Sequence, residues 1–202
     1  MHKVFVSYHH ENDQWYKEEL LRVAHDYQIF IDRSVDTGDI SDALSDEAIR
    51  EKIRDEYLRD STVTIVLVGT QTKNRKHVDW EIYSSMFDGR VNKKSGILAI
   101  TLPSTGCSRV FEPRGKDEQR LGHPDVSRWV AVNGRIQAER DYPSLPDRIL
   151  DNLTDNNVKI SVVPWSEVHR EPERLRALIE FAYRDRASCQ YNLARPMRRR
   201  NS

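Results

Sequence analysis

Glu81 falls in the first turns of a helix that begins near His77, where the aligned backbone dipoles favour an ionised carboxylate. A carboxylate held there can accept hydrogen bonds from ribose hydroxyls, or stabilise an oxocarbenium cation while a glycosidic bond breaks. First-turn acids are also common for helix stability alone, and that plainer reading stands beside the chemical one. Trp80, its neighbour, is either a core residue or a stacking surface for a base. Seven histidines invite a metal. However, His9 and His10 are adjacent rather than four apart, and no HxxxH or HExxH string occurs, so no metal site is expected. Ser7 closes a strand without a GxSxG elbow, which fits a structural serine better than a nucleophile. Cys107 and Cys189 are isolated and form no CxxC pair, so neither a thiolate zinc site nor a disulfide framework is expected.

Composition narrows the partners. Among 202 residues, Lys+Arg and Asp+Glu both number 32, for a net charge of zero. A dedicated nucleic-acid or membrane-surface binder would carry a net positive field, so neither partner is expected. The run Arg198-Arg199-Arg200 could touch a phosphate backbone; on a neutral chain it reads as the solvated end of a flexible basic tail over residues 191–202. The amino terminus enters an apolar strand at once and lacks the succession of a secretory signal. The longest strongly apolar stretch, Val63–Val68, is far shorter than the ~18 residues of a membrane span. The expectation is a soluble, cytoplasmic protein with one core, in residues 1–190.

The elements that must position these residues follow from periodicity. Residues 3–7 read as a strand. Tyr16, Leu20, Val23, Ala24 and Tyr27 then recur at helical spacing, and Ile29, Phe30 and Ile31 form a second strand. Turn formers fill 32–39. Ser45 is a candidate N-cap for a helix whose buried stripe is Ile49, Ile53 and Tyr57. Residues 62–68 have the β-branched continuity of a strand covered on both faces. A helix is expected over 77–88, with Gly89 as its left-handed C-terminal residue. Residues 97–102 and 159–163 read as the fourth and fifth strands, and Leu175, Leu178, Ile179, Ala182 and Tyr183 mark a last helix. Between them 103–146 is an insertion with short helical turns expected around 125–132 and, at its end, 145–153.

Strands alternating with helices define an α/β three-layer sandwich with a mainly parallel five-stranded sheet, in the flavodoxin-like order 2-1-3-4-5. A ligand crevice should open between the carboxyl ends of strands one and three. The residues flanking it, 7–13 and 69–76, contain neither GxxxxGK[ST] nor GxGxxG, and the strand ends themselves, Ser7-Tyr8 and Gly69-Thr70, lack the carboxylates of a phosphoacceptor site. Tyr8-His9-His10-Glu11-Asn12 also supplies no Ser/Thr/Gly cradle for a flavin phosphate.

Lys3-Val4-Phe5-Val6-Ser7-Tyr8 resembles the opening strand of TIR domains, and Ile29-Phe30-Ile31-Asp32 their second. The polar stretch to Ile40 is similar to their BB loop, and residues 61–68, S-T-V-T-I-V-L-V, to their third strand. His77-Val78-Asp79-Trp80-Glu81-Ile82 resembles the W-V-x-W-E-I segment of a TIR-like group that includes the TIR-like component of Thoeris antiphage defence. The resemblance implies an NAD-consuming enzyme of the glycohydrolase or ADP-ribosyl cyclase type, with NAD as substrate rather than cofactor. Glu81 matches the catalytic glutamate. Ser7, Tyr8 and His9 would line the nicotinamide and ribose side of the pocket, Asp36 would lie in the overlying loop, and Trp80 would pack beside the glutamate. The implied product is a cyclised ADP-ribose signal that reaches a separate effector protein, with self-association through TIR-like surfaces. A non-catalytic TIR-like scaffold is the alternative.

Overall fold

The computed structural model describes residues 1–34, 44–90, 92–113 and 115–201. Its centre is a parallel sheet of β1 (His2–Ser7), β2 (Phe30–Asp32), β3 (Val63–Val68), β4 (Gly96–Thr101) and β5 (Ser161–Pro164), in the order β2-β1-β3-β4-β5. Helices α1 (His10–Asp26), α2 (Asp46–Lys52), α3 (Lys76–Met86), α4 (Arg135–Asp141), α5 (Asp147–Leu153) and α6 (Pro172–Asp185) complete it. The flavodoxin-like expectation is met.

Alternating strand side chains sort the core into two faces. Val4, Val6, Ile65, Leu67, Leu98 and Ile100 pack with Leu20 and Val23 of α1 and Leu175, Leu178 and Ile179 of α6. Val66, Val68, Ile97, Ala99 and Val162 pack with Val78 and Ile82 of α3 and Ile149 and Leu150 of α5. Every residue of β3 and β4 is buried, which explains why both read as unbroken apolar runs. Gly96 is required by contact, because a Cβ there would collide with the carbonyl of Ala182 where α6 lies directly on β4.

Several expectations are corrected. Ser45 does cap α2, its Oγ accepting from the Ala48 N–H at 3.2 Å. The helix then widens into a π turn over Ile53–Tyr57, closed by the Leu58 N–H donating to the Ile53 carbonyl at 2.9 Å. The extra residue rotates the stripe, so Leu58 is fully buried in place of Tyr57. Helix α3 stops at Met86 on an extended Phe87 (φ −72°, ψ 127°), without a left-handed Gly89. Gly89 instead admits the Asn92 carbonyl, 2.7 Å from where a Cβ would stand. Residues 125–132 form no helix: Val130 makes a strand-like bridge to Phe111, held by its N–H to the Val110 carbonyl at 2.8 Å. The helical turns of the insertion are a 3₁₀ turn at Pro103–Thr105, a π turn at Glu118–Gly122 and α4, while α5 lies within the expected 145–153.

The carboxyl-terminal segment is the largest correction. It is packed, not frayed. Met197 is 3% exposed and belongs to a cluster with Phe5, Ile49, Ile53, Leu58 and Trp80. The Trp80 Nε1–H donates to the Arg198 carbonyl at 2.7 Å, and the Arg198 N–H donates to Asp79 Oδ2 at 2.8 Å. The basic side chains point outward to carboxylates, Arg195 to Asp151 and Arg199 to Asp46, while the backbone and the methionine do the packing. Among the described residues no helix is long and apolar enough to cross a membrane.

Candidate active site

Strand β1 delivers Ser7 to the carboxyl edge of the sheet, and α1 starts three residues later. His9 caps that helix: its backbone is extended (φ −89°, ψ 107°) and its Nδ1 accepts from the Asn12 N–H at 3.1 Å. A ring accepting at Nδ1 carries its proton on Nε2. Burial, and secondarily the Arg75 guanidinium, hold His9 below the ordinary histidine value of 6.5, favouring this neutral form. On the other side of the switch point β3 ends at Val68, and a single 3₁₀ turn, Thr72–Asn74, leads to α3.

Glu81 lies on the second turn of α3, 4% exposed, and Ser7 Oγ donates to its Oε2 at 2.6 Å. The two ends of the crevice thus meet through a short, buried hydrogen bond to a carboxylate. Beside them lies a cavity of ≈ 410 Å³ lined by Tyr8, His9, His10, Glu11, Arg75, His77 and Val78, within the usual volume range of small-molecule sites. Glu81 is not part of that lining. His77 and Val78 are, so the carboxylate sits about one helical turn, ~5 Å, deeper along α3. The Tyr8 ring stacks on His10 with centroids 4.4 Å apart, and its hydroxyl donates to Gln14 Oε1 at 2.6 Å. At the mouth Arg75 pairs loosely with Glu11 at 3.6 Å.

Of the residues singled out in the sequence, Ser7, Tyr8, His9 and Glu81 are brought together. Trp80 is fully buried in the cluster with Phe5 and Met197, and its ring lies 5.0 Å from that of His77 in the cavity wall. Successive helix positions diverge by about 100°, so neighbours in sequence face different ways. Asp36 lies outside the described residues.

Sequence reasoning missed Arg75, His77 and Asp13. Asp13 is 3% exposed, its Oδ2 has no hydrogen-bond partner, and a Cβ on Gly69 would run into its carboxyl group. Burial raises its proton affinity above the ordinary value of 3.8, against a hydrogen bond with Thr72 that lowers it. An acid three residues into a helix looks like routine dipole matching, which hid it. Arg75 stands just before α3 and His77 in its first turn, with no spacing to mark either. Among the described residues no cluster of His, Cys, Asp or Glu is arranged to hold a metal ion.

The parallel winding and the hydroxyl-carboxylate pair across its switch point define a flavodoxin-like α/β protein with its candidate site where such folds place ligands. Comparison with protein families is more specific. Residues 5–106, half of the chain, match the family described as Thoeris protein ThsB, TIR-like domain, and the chain belongs to that family. The matched region includes Ser7, Tyr8, His9 and Glu81 and stops before Cys107, leaving out most of the insertion and the carboxyl-terminal segment. Comparison with curated proteins finds no match.

Proposed function

We propose that this protein cleaves the nicotinamide–ribose bond of NAD, with Glu81 as the catalytic carboxylate, and releases a cyclised ADP-ribose product as a diffusible antiphage signal read by a separate effector. The observation that carries this reading is the Glu81 carboxylate fixed by Ser7 Oγ at the switch point, next to a cavity of ligand size. Nicotinamide in NAD is already cationic. As the bond to the ribose C1′ breaks, the electron pair leaves with the ring, which becomes neutral, and positive charge develops on the ribose. Departure needs no general acid, only a fixed anion that gains interaction as that charge grows; a hydroxyl or base nitrogen of the same ADP-ribose then bonds to C1′, giving up any proton it carries, and closes the ring. Ser7 is a positioning residue in this scheme, orienting the carboxylate. Arg75 at the cavity mouth suits the diphosphate, and Tyr8 and His10 offer flat surfaces to the ring.

Glu81 is 4% exposed, so the wall formed by His77 and Val78 has to shift before ribose reaches it. That closed state accords with an enzyme that waits for a trigger or for assembly through its TIR-like surfaces. The same closure favours a second reading, a non-catalytic scaffold in which Glu81 and Ser7 merely tie α3 to β1. Nicotinamide release, followed chromatographically with the purified protein alone and with extract of phage-infected cells, separates the two. The enzyme reading expects release that Glu81→Gln lowers by at least about 100-fold, the usual scale for a lost electrostatic contribution. Unchanged NAD under both conditions, or turnover that survives Glu81→Gln, leaves the scaffold.

A further inference from the structure

At the opposite edge of the sheet three connections converge around a second cavity, of ≈ 240 Å³. Arg54 comes from the π turn after α2, Ser61 and Thr62 lead into β3, Lys93 and Lys94 lead into β4, and Arg186 ends α6. Strand β3, six residues long, separates this edge from the Glu81 site by about 20 Å.

Four cations and one carboxylate, Asp60, line the cavity; Asp60 pairs with Lys3 at 3.3 Å and Lys93 with Asp88 at 3.8 Å. Lys94 Nζ donates to a neutral carbonyl, that of Cys189, at 2.6 Å. Arg186 likewise donates to the Tyr183 carbonyl and covers the Tyr183 ring, 3.8 Å from its centroid. Arg54 is the telling residue. It is 3% exposed, and its hydrogen bonds go to neutral oxygens, Nε to the Asn92 carbonyl at 3.1 Å and Nη1 to Ser95 Oγ at 3.4 Å. Among the described residues no carboxylate lies within ion-pair distance of it, and Nη2 has no hydrogen-bond acceptor. Burial pulls its guanidinium down to about 10, against the opposing pull of the Asp55 and Asp88 carboxylates nearby. Next to it the Oγ of Ser61, 5% exposed, also has no partner.

A buried cation with no direct ion pair is costly, and proteins keep one where something compensates it. The π turn adds a second indication. A regular helix after Lys52 would have turned Tyr57 inward; the inserted residue brings Leu58 into the core, Arg54 of the same turn lines the cavity, and such turns recur at functional sites. We infer that the Arg54, Lys94, Arg186 and Ser61 cavity binds a phosphoryl dianion, separately from the Glu81 site. A planar guanidinium with a free edge matches tetrahedral phosphate oxygens, the Ser61 hydroxyl supplies a donor, and the lysines neutralise the remaining charge. The volume, below that of drug-sized sites, admits the phosphoryl end of a small molecule rather than a whole dinucleotide.

Calorimetric titration at fixed ionic strength, with inorganic phosphate and separately with ribose 5-phosphate, tests this. Wild type should show one saturable site for phosphate. The double variant Lys94→Gln/Arg186→Gln, altered only in partly exposed side chains, should bind at least tenfold more weakly while remaining folded by circular dichroism at the titration temperature. Arg54→Gln should abolish binding if it folds. Arg75→Gln, which alters the other cavity, should leave the affinity unchanged. Equal binding of ribose 5-phosphate identifies the ligand as a phosphate ester, and binding of phosphate alone identifies the free ion. Absence of saturable binding to wild type, affinity retained by the double variant, or loss in Arg75→Gln overturns the inference.

Discussion

Asp13 carries an instructive tension at the residue scale. Its carboxyl group is closed off between α1 and the turn after β3, with one oxygen unsatisfied, and burial favours the protonated form. The sign of the linkage follows directly. A carboxyl whose folded pKa lies above its unfolded value of 3.8 supports the fold fully below that value. The support is lost as pH rises through the folded pKa. Once ionised, Asp13 is therefore a destabilising charge, and above its folded pKa Asp13→Asn, equal in size and neutral, should stabilise by about 1–2 kcal/mol. In a chain this long that raises the melting temperature by roughly 2–4 °C per kcal/mol. Thermal unfolding from pH 4 to 8 checks it: the gain should shrink toward pH 4, and a gain independent of pH would mean that charge is not the cause. Glu81, equally buried, receives the Ser7 hydroxyl. The sequence marked Glu81 through its segment but had no means of showing whether either acid would meet a donor.

Elements show where a sequence is legible and where it is not. β3 and β4 are buried on both faces, and α1 and α6 on one, so their patterns survive in the sequence as unbroken or periodic apolar residues. The π turn leaves no such trace, because Ile49, Ile53 and Tyr57 have faultless helical spacing and only the packing of Leu58 decides against it. The pairing of α3 with α5 is similarly silent. Arg148 is fully buried and grips Asp79 with two bonds of 3.0 Å, while donating to the carbonyls of Arg195 and Pro196. Charged residues 69 positions apart carry no periodicity that joins them. Removing the arginine would strand the Asp79 carboxylate in the interior, so Arg148→Ala should cost about 3–5 kcal/mol. A double-mutant cycle with Asp79→Asn, read by denaturant unfolding, should recover a large part of that loss. Additive losses would show that the two side chains act independently.

For the whole molecule, the carboxyl-terminal segment decides how α3 is held. Its Met197 fills the space among Trp80, Phe5 and Ile53, its backbone joins both Asp79 and Trp80, and the Asn201 Oδ1 accepts from the Lys76 N–H at 3.0 Å, satisfying the first turn of α3. Arg199 reaches the Leu44 carbonyl and Asp46 at the start of α2. A segment whose composition reads as solvated therefore clasps the helix that carries Glu81. The sequence concealed this because its arginines are the conspicuous residues and the packing belongs to one methionine and several backbone groups. Met197→Ala should cost about 2–5 kcal/mol through the cavity it leaves. Removing residues 195–202 should cost more, since the Trp80 indole N–H and the Arg148 guanidinium then lose carbonyl partners inside the protein. Hydrogen exchange localises the effect: α2 and α3 should lose protection in the shortened chain while α6 keeps it, because α6 packs on the other face of the sheet. If NAD cleavage is the activity, it should fall with α3 protection even though no residue of the segment lines the Glu81-side cavity. Protection of α3 unchanged after removal would show that the sheet alone suffices to hold it.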